Sequence, residues 1–257
     1  MKFDLSHWPK LPKVSCQCIT YGRTDLLDEA VECFLRQDYP GEKELVILND
    51  YDQLWLQGDI PNVKIINALY RMRTIGAKRN ACVSLTTGDI IFPWDDDDIS
   101  LPWRISYSLS RMTNLEYYKA DRAWLWKNGE IAPEPKKHVM HAMGAWSVKF
   151  FDEVGGYPRI DSGQDQAIEA RFREAEGSRR VVAEPALDEI YYIYRFPGTG
   201  SYHLSAAGWD KGMKEAERYV TQKAISGIHE VTPHWNQDYI QLAATAVEEM
   251  RDVVTVI

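Results

Sequence analysis

Four consecutive aspartates, Asp95 to Asp98, are the most chemically distinctive residues of this sequence. They follow the run Asp89 to Trp94 (DIIFPW), which has the composition of a buried strand. Carboxylates this close repel one another unless a cation neutralises them, and hard divalent cations prefer oxygen ligands. A solvated acidic turn is the alternative interpretation. An EF-hand loop is excluded, because Ser100 and Ser106 stand where that loop requires glycine and glutamate.

Strand and helix patterns alternate along the first hundred residues and would position this run. Besides the strand before the aspartates, the strand patterns are Val14 to Thr20, Glu44 to Leu48 and Asn62 to Asn67, and the helical ones start at Thr24 and Ile75. This alternation predicts an α/β fold with a mostly parallel central sheet flanked by helices. Polar segments follow three of the strands, at 21–23, 49–52 and 95–98. Because ligands collect at the carboxyl ends of parallel strands, we expect these segments to converge on one crevice.

The composition of the chain indicates one globular domain, since 45% of its 257 residues are hydrophobic and 26% are charged. No apolar run is long enough for a membrane span, and the first residues lack the layout of a signal peptide, so we expect a cytoplasmic protein. The net charge of −8 does not favour a nucleic-acid acceptor. Four cysteines at these spacings favour neither a disulfide framework nor a zinc site.

Four motifs occur in order along the chain: Val14 to Arg23 (VSCQCITYGR), Glu44 to Asp52 (ELVILNDYD), Gly76 to Asn80 (GAKRN) and Trp94 to Pro102 (WDDDDISLP). Val154 to Tyr157 (VGGY) follows, with Gln164 and Asp165 after it. Together these motifs resemble glycosyltransferase family 2, which has the GT-A fold. The resemblance covers roughly residues 14–205 and implies one GT-A domain over 1–257. Its parts would be a Rossmann-like nucleotide-sugar-binding half (about 14–100), an acceptor and catalytic half (about 101–205) and a helical tail (206–257).

The resemblance implies transfer of a sugar from a nucleotide-diphosphate donor, a UDP-sugar first of all, to an acceptor hydroxyl. Asp97 would bind Mn²⁺ or Mg²⁺, which would neutralise the diphosphate leaving group. Asp50 would accept a hydrogen bond from the base, and Asp95 would contact the ribose or the water shell of the metal. The residues implied in donor binding are Thr20, Tyr21, Arg23, Asp50, Arg79, Asp95 and Asp96.

Asp165 is the implied general base of an inverting transferase, which deprotonates the acceptor hydroxyl opposite the leaving group. We predict that it lies at a helix start, where the positive helix end favours an ionised carboxylate. A purely capping aspartate is the alternative. His203 lies in the glycine-containing segment Gly198 to Ser205 and resembles the loop histidine that members of the family return to the metal. A structural histidine is the alternative at that position.

The sequence departs from the family pattern at three positions. Asn49 and Tyr51 replace an aspartate and a glycine beside the expected base contact, and Gln164 replaces a glutamate, which leaves Asp165 as the only carboxylate of its pair. Two other functions stay open, a sugar nucleotidyltransferase and a non-catalytic carbohydrate- or metal-binding module. The single glycine between Thr20 and Arg23 disfavours the first. The acceptor stays open between a glycan, a protein and a hydroxylated DNA base.

Overall fold

The structure, a computed structural model, describes residues 1–112, 116–127, 129–137, 141–175, 180–195 and 225–255. The described strands are β1 (Val14–Thr20), β2 (Lys43–Asn49), β3 (Leu54–Gln57), β4 (Val63–Asn67), β5 (Ile90–Pro93), β6 (Ile99–Ser100), β7 (Tyr117–Ala120), β8 (Arg122–Lys127), β9 (Glu130–Ile131), β10 (Lys136–Lys137), β11 (Gly144–Ser147), β12 (Arg180–Ala183), β13 (Tyr192–Arg195) and β14 (Gly227–Glu230). The described helices are α1 (Thr24–Leu35), α2 (Ile75–Ser84), α3 (Arg104–Arg111), α4 (Val148–Glu153), α5 (Gln164–Ala175) and α6 (Tyr239–Thr255), with 3-10 turns at His141–Met143 and Leu187–Glu189.

The central sheet has seven strands in the order β12, β7, β11, β5, β1, β2 and β4. Neighbouring strands are parallel except where β11 pairs with β5 and with β7. The interior strand β1 is buried apart from a half-buried Ile19, as expected for a strand covered on both faces. The predicted α/β architecture with a mostly parallel sheet is confirmed.

The carboxyl ends of neighbouring strands meet at one edge of this sheet. Thr20 at the end of β1 is level with Asn49 of β2, which in turn is level with Asn67 of β4. The aspartate run leaves β5 at the same edge, since β5 is parallel to β1. The polar segments that the sequence places after these strands therefore lie at a common edge.

A second sheet of five strands fixes the other end of the aspartate run. Its strands have the order β10, β8, β13 and β6, with β9 beside β8. Strand β6 follows Asp98 directly and pairs with β13 through Ile99 and Ser100. The four aspartates thus span the short distance from the central sheet to the second one, and both ends of the run are anchored by strand pairing.

Helix α1 covers the central sheet with a fully buried apolar face that includes Leu27, Val31 and Phe34. The carbonyl of Ala30 on this helix accepts a hydrogen bond of 2.9 Å from the indole of Trp94. The chain just before the aspartates is therefore held against α1. In the part of the chain that the structure describes, no helix has both the length and the apolar character needed to cross a membrane.

The second half of the chain differs from its sequence pattern between residues 139 and 150. The apolar run there predicts one strand, whereas the described part is a 3-10 turn, the short strand β11 and the start of α4. Ser147 ends the strand because its hydroxyl accepts a hydrogen bond from the backbone N–H of Phe150 and caps α4. The first part of the predicted helical tail, residues 206–224, lies outside the described residues.

A close junction joins α2 to the segment that precedes α5. Gly76 of α2 donates its backbone N–H to the carbonyl of Ile160, and a Cβ atom at Gly76 would lie 1.9 Å from the carbonyl oxygen of Pro158. One turn later, the amide of Asn80 bonds both the backbone N–H (2.9 Å) and the backbone carbonyl (2.8 Å) of Tyr157. Two sequence motifs that lie far apart, GAKRN and VGGY, therefore pack directly on each other.

We predict that Gly76→Ala destabilises the protein by about 1–3 kcal/mol, because the added methyl group forces α2 away from Pro158. The higher helix propensity of alanine alone would stabilise the variant by up to about 1 kcal/mol. The sign of the measured change in stability therefore shows which effect is larger. Urea unfolding measures it. Gly58→Ala is the matched control, since its Cβ would meet only the flexible end of Ile60 at 3.3 Å. Equal stability of the two variants would contradict the close approach.

Candidate functional site

Three carboxylates of the aspartate run converge on one point. Asp95, Asp97 and Asp98 each direct an oxygen into a group whose members lie within 4.8 Å of one another. Asp97 and Asp98 are buried and Asp95 is half-buried. Three carboxylate oxygens at this spacing suit a hard divalent cation, which prefers oxygen ligands. The structure thus brings Asp97, the predicted metal ligand, together with Asp95 and with Asp98, to which the sequence assigned no role of its own.

Asp98 is oriented by the second sheet. Its carboxylate accepts hydrogen bonds from the hydroxyl of Tyr192 (2.6 Å) and from the backbone N–H of Arg195 (2.7 Å), both on β13. Its side chain is therefore fixed by two donors from a strand that is distant in sequence. The adjacent aspartates in the sequence gave no indication of these partners.

Asp96 points to a different neighbour, the guanidinium of Arg23. This guanidinium contacts both oxygens of Asp96 and also bonds Asp97 at 2.7 Å. Burial raises the pKa of Asp96 to about 6, Arg23 opposes this shift, and the nearby Asp97 adds to it. Although burial disfavours its charge, the pKa of Arg23 is raised by the carboxylates around it. Two residues predicted to bind the donor, Arg23 and Asp96, therefore form an internal ion pair.

Asp50, the predicted base contact, is also held by protein groups. One of its oxygens pairs with the ammonium of Lys78, and the other accepts the backbone N–H of Met72 at 3.0 Å. Lys78 also donates to the carbonyl of Thr20. Burial lowers the pKa of Lys78, and Asp50 opposes this shift. Sequence analysis missed Lys78, although its position inside GAKRN, one residue before Arg79, was a signal.

Aromatic and cationic side chains form one wall beside Asp50. The rings of Tyr21 and Tyr51 have centroids 4.8 Å apart, and the guanidinium of Arg71 lies 4.6 Å from the ring of Tyr21. Both tyrosines are half-buried, so part of each is accessible to a ligand. Flat rings with an accessible face can stack on a nucleobase. Tyr51, which stands where the family has a glycine, supplies one of these rings.

Arg79 borders the acidic cluster from the side of α2. Its guanidinium pairs with Asp95 at 3.3 Å and lies 5.6 Å from the ring centroid of Tyr157. Its Nε is buried and has no hydrogen-bond partner among the described residues. Burial disfavours the charge, but the carboxylates of Asp95 and Asp165 raise the pKa of Arg79. A buried guanidinium donor beside a metal-binding cluster suits an anionic ligand such as a diphosphate.

Asp165 lies at the start of α5, as predicted. It is the second residue of the helix and follows Gly163 (φ +75°) and Gln164, so it is not the N-cap residue. Its carboxylate accepts the backbone N–H of Gln166 at 2.9 Å and acts on Arg79 electrostatically. Its role as the base stays a prediction. His203, the other predicted metal ligand, lies outside the described residues.

The described site carries an excess of negative charge. Asp50 and Lys78 neutralise each other, and around the aspartate run the four carboxylates of 95–98 face the two guanidinium groups of Arg23 and Arg79. An excess of two charges in a largely buried place favours a divalent cation. The residues present therefore fit a divalent metal.

Comparisons with known proteins agree with this arrangement. Residues 17–160, more than half of the chain, match the family model described as glycosyl transferase family 2. The putative colanic acid biosynthesis glycosyl transferase WcaA of Escherichia coli (strain K12) is 28% identical over 151 residues, which make up 54% of this chain and 52% of WcaA. The chain thus spans about half the length of that relative.

Solved structures show the same fold at low identity. TarS 1-349 of S. aureus in complex with UDP-GlcNAc matches with a TM-score of 0.59 and 13% identity, over 93% of this chain and 71% of that one. The mannosyltransferase PcManGT of Pyrobaculum calidifontis, in complex with GDP-Man and Mn²⁺, matches with a TM-score of 0.56 and 14% identity, over 100% of this chain and 77% of that one. The predicted GT-A fold is confirmed.

The raised pKa of Asp96 predicts a pH dependence of stability in the metal-free protein. The folded state holds this proton up to a pH of about 6, whereas the unfolded chain releases it near 3.8, so Asp96 lowers stability progressively as the pH rises from about 4 to 7. The stability of Asp96→Asn minus that of wild type should grow by roughly 1 kcal/mol between pH 5 and 7. Urea unfolding with EDTA measures the difference. The exposed Asp52→Asn is the control, and a pH-independent difference for Asp96→Asn would refute the assignment.

Proposed function

Because the chain belongs to glycosyl transferase family 2, we propose that it transfers a sugar from a nucleotide-diphosphate donor to a hydroxyl group of an acceptor. The observation that carries the proposal is the group of Asp95, Asp97 and Asp98 beside the buried donor of Arg79, at the carboxyl edge of a parallel sheet. A carboxylate cluster next to a guanidinium suits a metal-bound diphosphate. Family membership argues against the nucleotidyltransferase and binding-module alternatives.

The metal of this proposal is Mn²⁺ or Mg²⁺, held by Asp97 together with Asp95 and Asp98. When bound, the cation would neutralise the negative charge that develops on the leaving diphosphate. Arg79 would contribute a fixed positive charge at the same place, since it pairs with Asp95. The presence of Mn²⁺ in the complex of the Pyrobaculum mannosyltransferase supports this choice. The role of His203 as a further ligand stays a prediction.

The nucleoside of the donor would lie against Tyr21 and Tyr51, with Thr20 and Asp50 at the edge of the base. Lys78 ties Asp50 to the carbonyl of Thr20, so these groups form one rigid wall. The internal ion pair of Arg23 with Asp96 gives that arginine a positioning role behind the metal cluster. A UDP-sugar is the first donor to test and a GDP-sugar the second, because the two structural relatives hold UDP-GlcNAc and GDP-Man.

Asp165 is the base of the proposed reaction. Its position in the first turn of α5 and its electrostatic interaction with Arg79 support this role. An ionised carboxylate there can accept the proton of an acceptor hydroxyl while the diphosphate leaves on the opposite side. The proposed transfer therefore inverts the anomeric configuration.

We expect UDP or GDP to raise the melting temperature only when Mn²⁺ is present, because the cation links the nucleotide to the carboxylates. At a ligand concentration 100 times Kd the gain is about 2.7 kcal/mol. Asp97→Asn should abolish the shift and leave the fold intact, with the exposed Asp52→Asn as the control. The shift in melting temperature is measured with Mn²⁺ and, separately, with EDTA. Equal shifts under both conditions would exclude a bridging metal.

Asp165→Asn should leave nucleotide and metal binding unchanged and lower kcat by about 10²- to 10⁴-fold, the usual contribution of a positioned base. Asparagine keeps the size of the side chain, so stability should change little. Asp152→Asn, on the exposed side of α4, is the matched control. Steady-state kinetics with the donor found by the melting series measures the effect, and NMR of the product reports its anomeric configuration. A retained configuration, or full activity of Asp165→Asn, would reject this base.

A further inference from the structure

A buried polar network lies beneath the site, between the central sheet and α5. Its members are Tyr117, Lys119, His141, Tyr157 and Glu169, none of them more than 7% exposed. Glu169 pairs with Lys119 at 3.0 Å and with the Nδ1 of His141 at 2.9 Å, and it accepts the hydroxyl of Tyr117. The Nε2 of His141 lies 2.7 Å from the hydroxyl of Tyr157. Both ring nitrogens of the histidine are therefore engaged.

The charges of the network determine the direction of its hydrogen bonds. Although burial favours the neutral acid, the hydrogen bond from His141 and the charge of Lys119 lower the pKa of Glu169, so this carboxylate is ionised and only accepts. Burial lowers the pKa of His141, which favours the neutral ring. A neutral ring that donates from Nδ1 to Glu169 must accept at Nε2. Tyr157 therefore donates its proton to His141, and its oxygen keeps its acceptor capacity for another group.

Arg79 is the cation that lies beside the ring of Tyr157. Its guanidinium carbon lies 5.6 Å from the tyrosine ring centroid. Burial raises the pKa of Tyr157, and the charge of Arg79 opposes that shift. The backbone of Tyr157 is clamped by Asn80, the residue next to Arg79 on α2. The network thus ends at the guanidinium that borders the metal cluster.

Such a network is costly in this environment, because aromatic side chains surround it. The ring of His141 lies 5.0 Å from that of Trp146, and Phe150 and Phe172 belong to the same cluster. A well-packed apolar set in place of buried ionic groups is often neutral or stabilising. A gain in stability therefore does not explain why the network is present. Holding a neighbouring side chain in a fixed position does explain it.

We propose that His141 and Tyr157 are positioning residues that hold the guanidinium of Arg79 towards the donor diphosphate, with Glu169 and Lys119 fixing the histidine. The inference rests on the proposed function, since it concerns the donor site. Arg79 touches the donor, while the other residues act through it. Asp165 lies four residues before Glu169 and therefore on the same face of α5. The contacts that hold Glu169 thus also orient the face of the helix that carries the base.

The test is the affinity for UDP and GDP in the presence of Mn²⁺, measured by calorimetry. Tyr157→Phe keeps the ring and removes only the hydroxyl that joins it to His141, and it should weaken nucleotide binding about 10-fold. His141→Asn can keep a donor for Glu169 but has no atom in the place of Nε2, so it should give the same loss. Affinity for Mn²⁺ alone should change less than about twofold. Tyr118→Phe, a buried tyrosine away from the site, is the matched control.

A double-mutant cycle separates positioning from a merely structural role. In an Arg79→Ala background, Tyr157→Phe should cause no further loss of nucleotide affinity, because the group through which it acts is gone. An additive loss would overturn the proposal, and so would a Tyr157→Phe affinity within twofold of wild type. If wild type binds neither nucleotide with Mn²⁺, the proposed function fails and the inference fails with it. If wild type binds a nucleotide but the losses of affinity in the two variants are additive, the positioning role is rejected and the proposed function stands.

Discussion

Four carboxylates follow one another at the end of β5, and the last three of them are buried. Like charges in a place of low dielectric cannot all stay ionised unless cations lie close to them. The protein supplies such cations from outside β5, since Arg23 follows β1 and Arg79 belongs to α2. These contacts fix the turn after β1 and helix α2 against the aspartate run. The negative charge that remains is what a divalent cation would neutralise.

A series of charge pairs and hydrogen bonds connects the site with the last described segment of the chain. Asp98 is held by the backbone N–H of Arg195, whose guanidinium pairs with the buried Glu29 of α1 at 2.7 Å. Glu29 also accepts the hydroxyl of Tyr239 at 2.6 Å and the backbone N–H of Asn236 at 3.0 Å. A carboxylate of the aspartate cluster is thus connected to the first turn of α6 through Arg195 and the buried Glu29. The segment at 225–255 is therefore part of the support of the site.

The individual residues of each family motif have different physical roles in this structure. In GAKRN, the glycine permits the close approach to Pro158, the lysine neutralises Asp50, and the arginine borders the metal cluster. The asparagine, Asn80, clamps the backbone of Tyr157 from the VGGY motif. The two motifs are consequently one structural unit, which holds α2 against the segment that precedes α5.

The sequence by itself determined the elements of the first half and the edge where the site lies. Apolar runs of strand length and helical periodicity act over a few residues, so β1, β2, β4 and β5 and helices α1 and α2 were predicted close to their observed bounds. The aspartate run is local, so the sequence alone was enough to predict a metal site there. Strand β3 was not predicted, because it is short and only half buried.

The tertiary structure decided which partner each charged group has. Asp96 turns to Arg23, 73 residues away, while Asp98 turns to Tyr192, 94 residues away. Neighbouring aspartates of identical type thus have different tasks, and nothing within the run distinguishes them. His141 and Glu169, 28 residues apart, meet only because β7, β11 and α5 pack around them. Local pattern determines which face of an element is buried, whereas the pairing of charges depends on which elements the whole fold brings together.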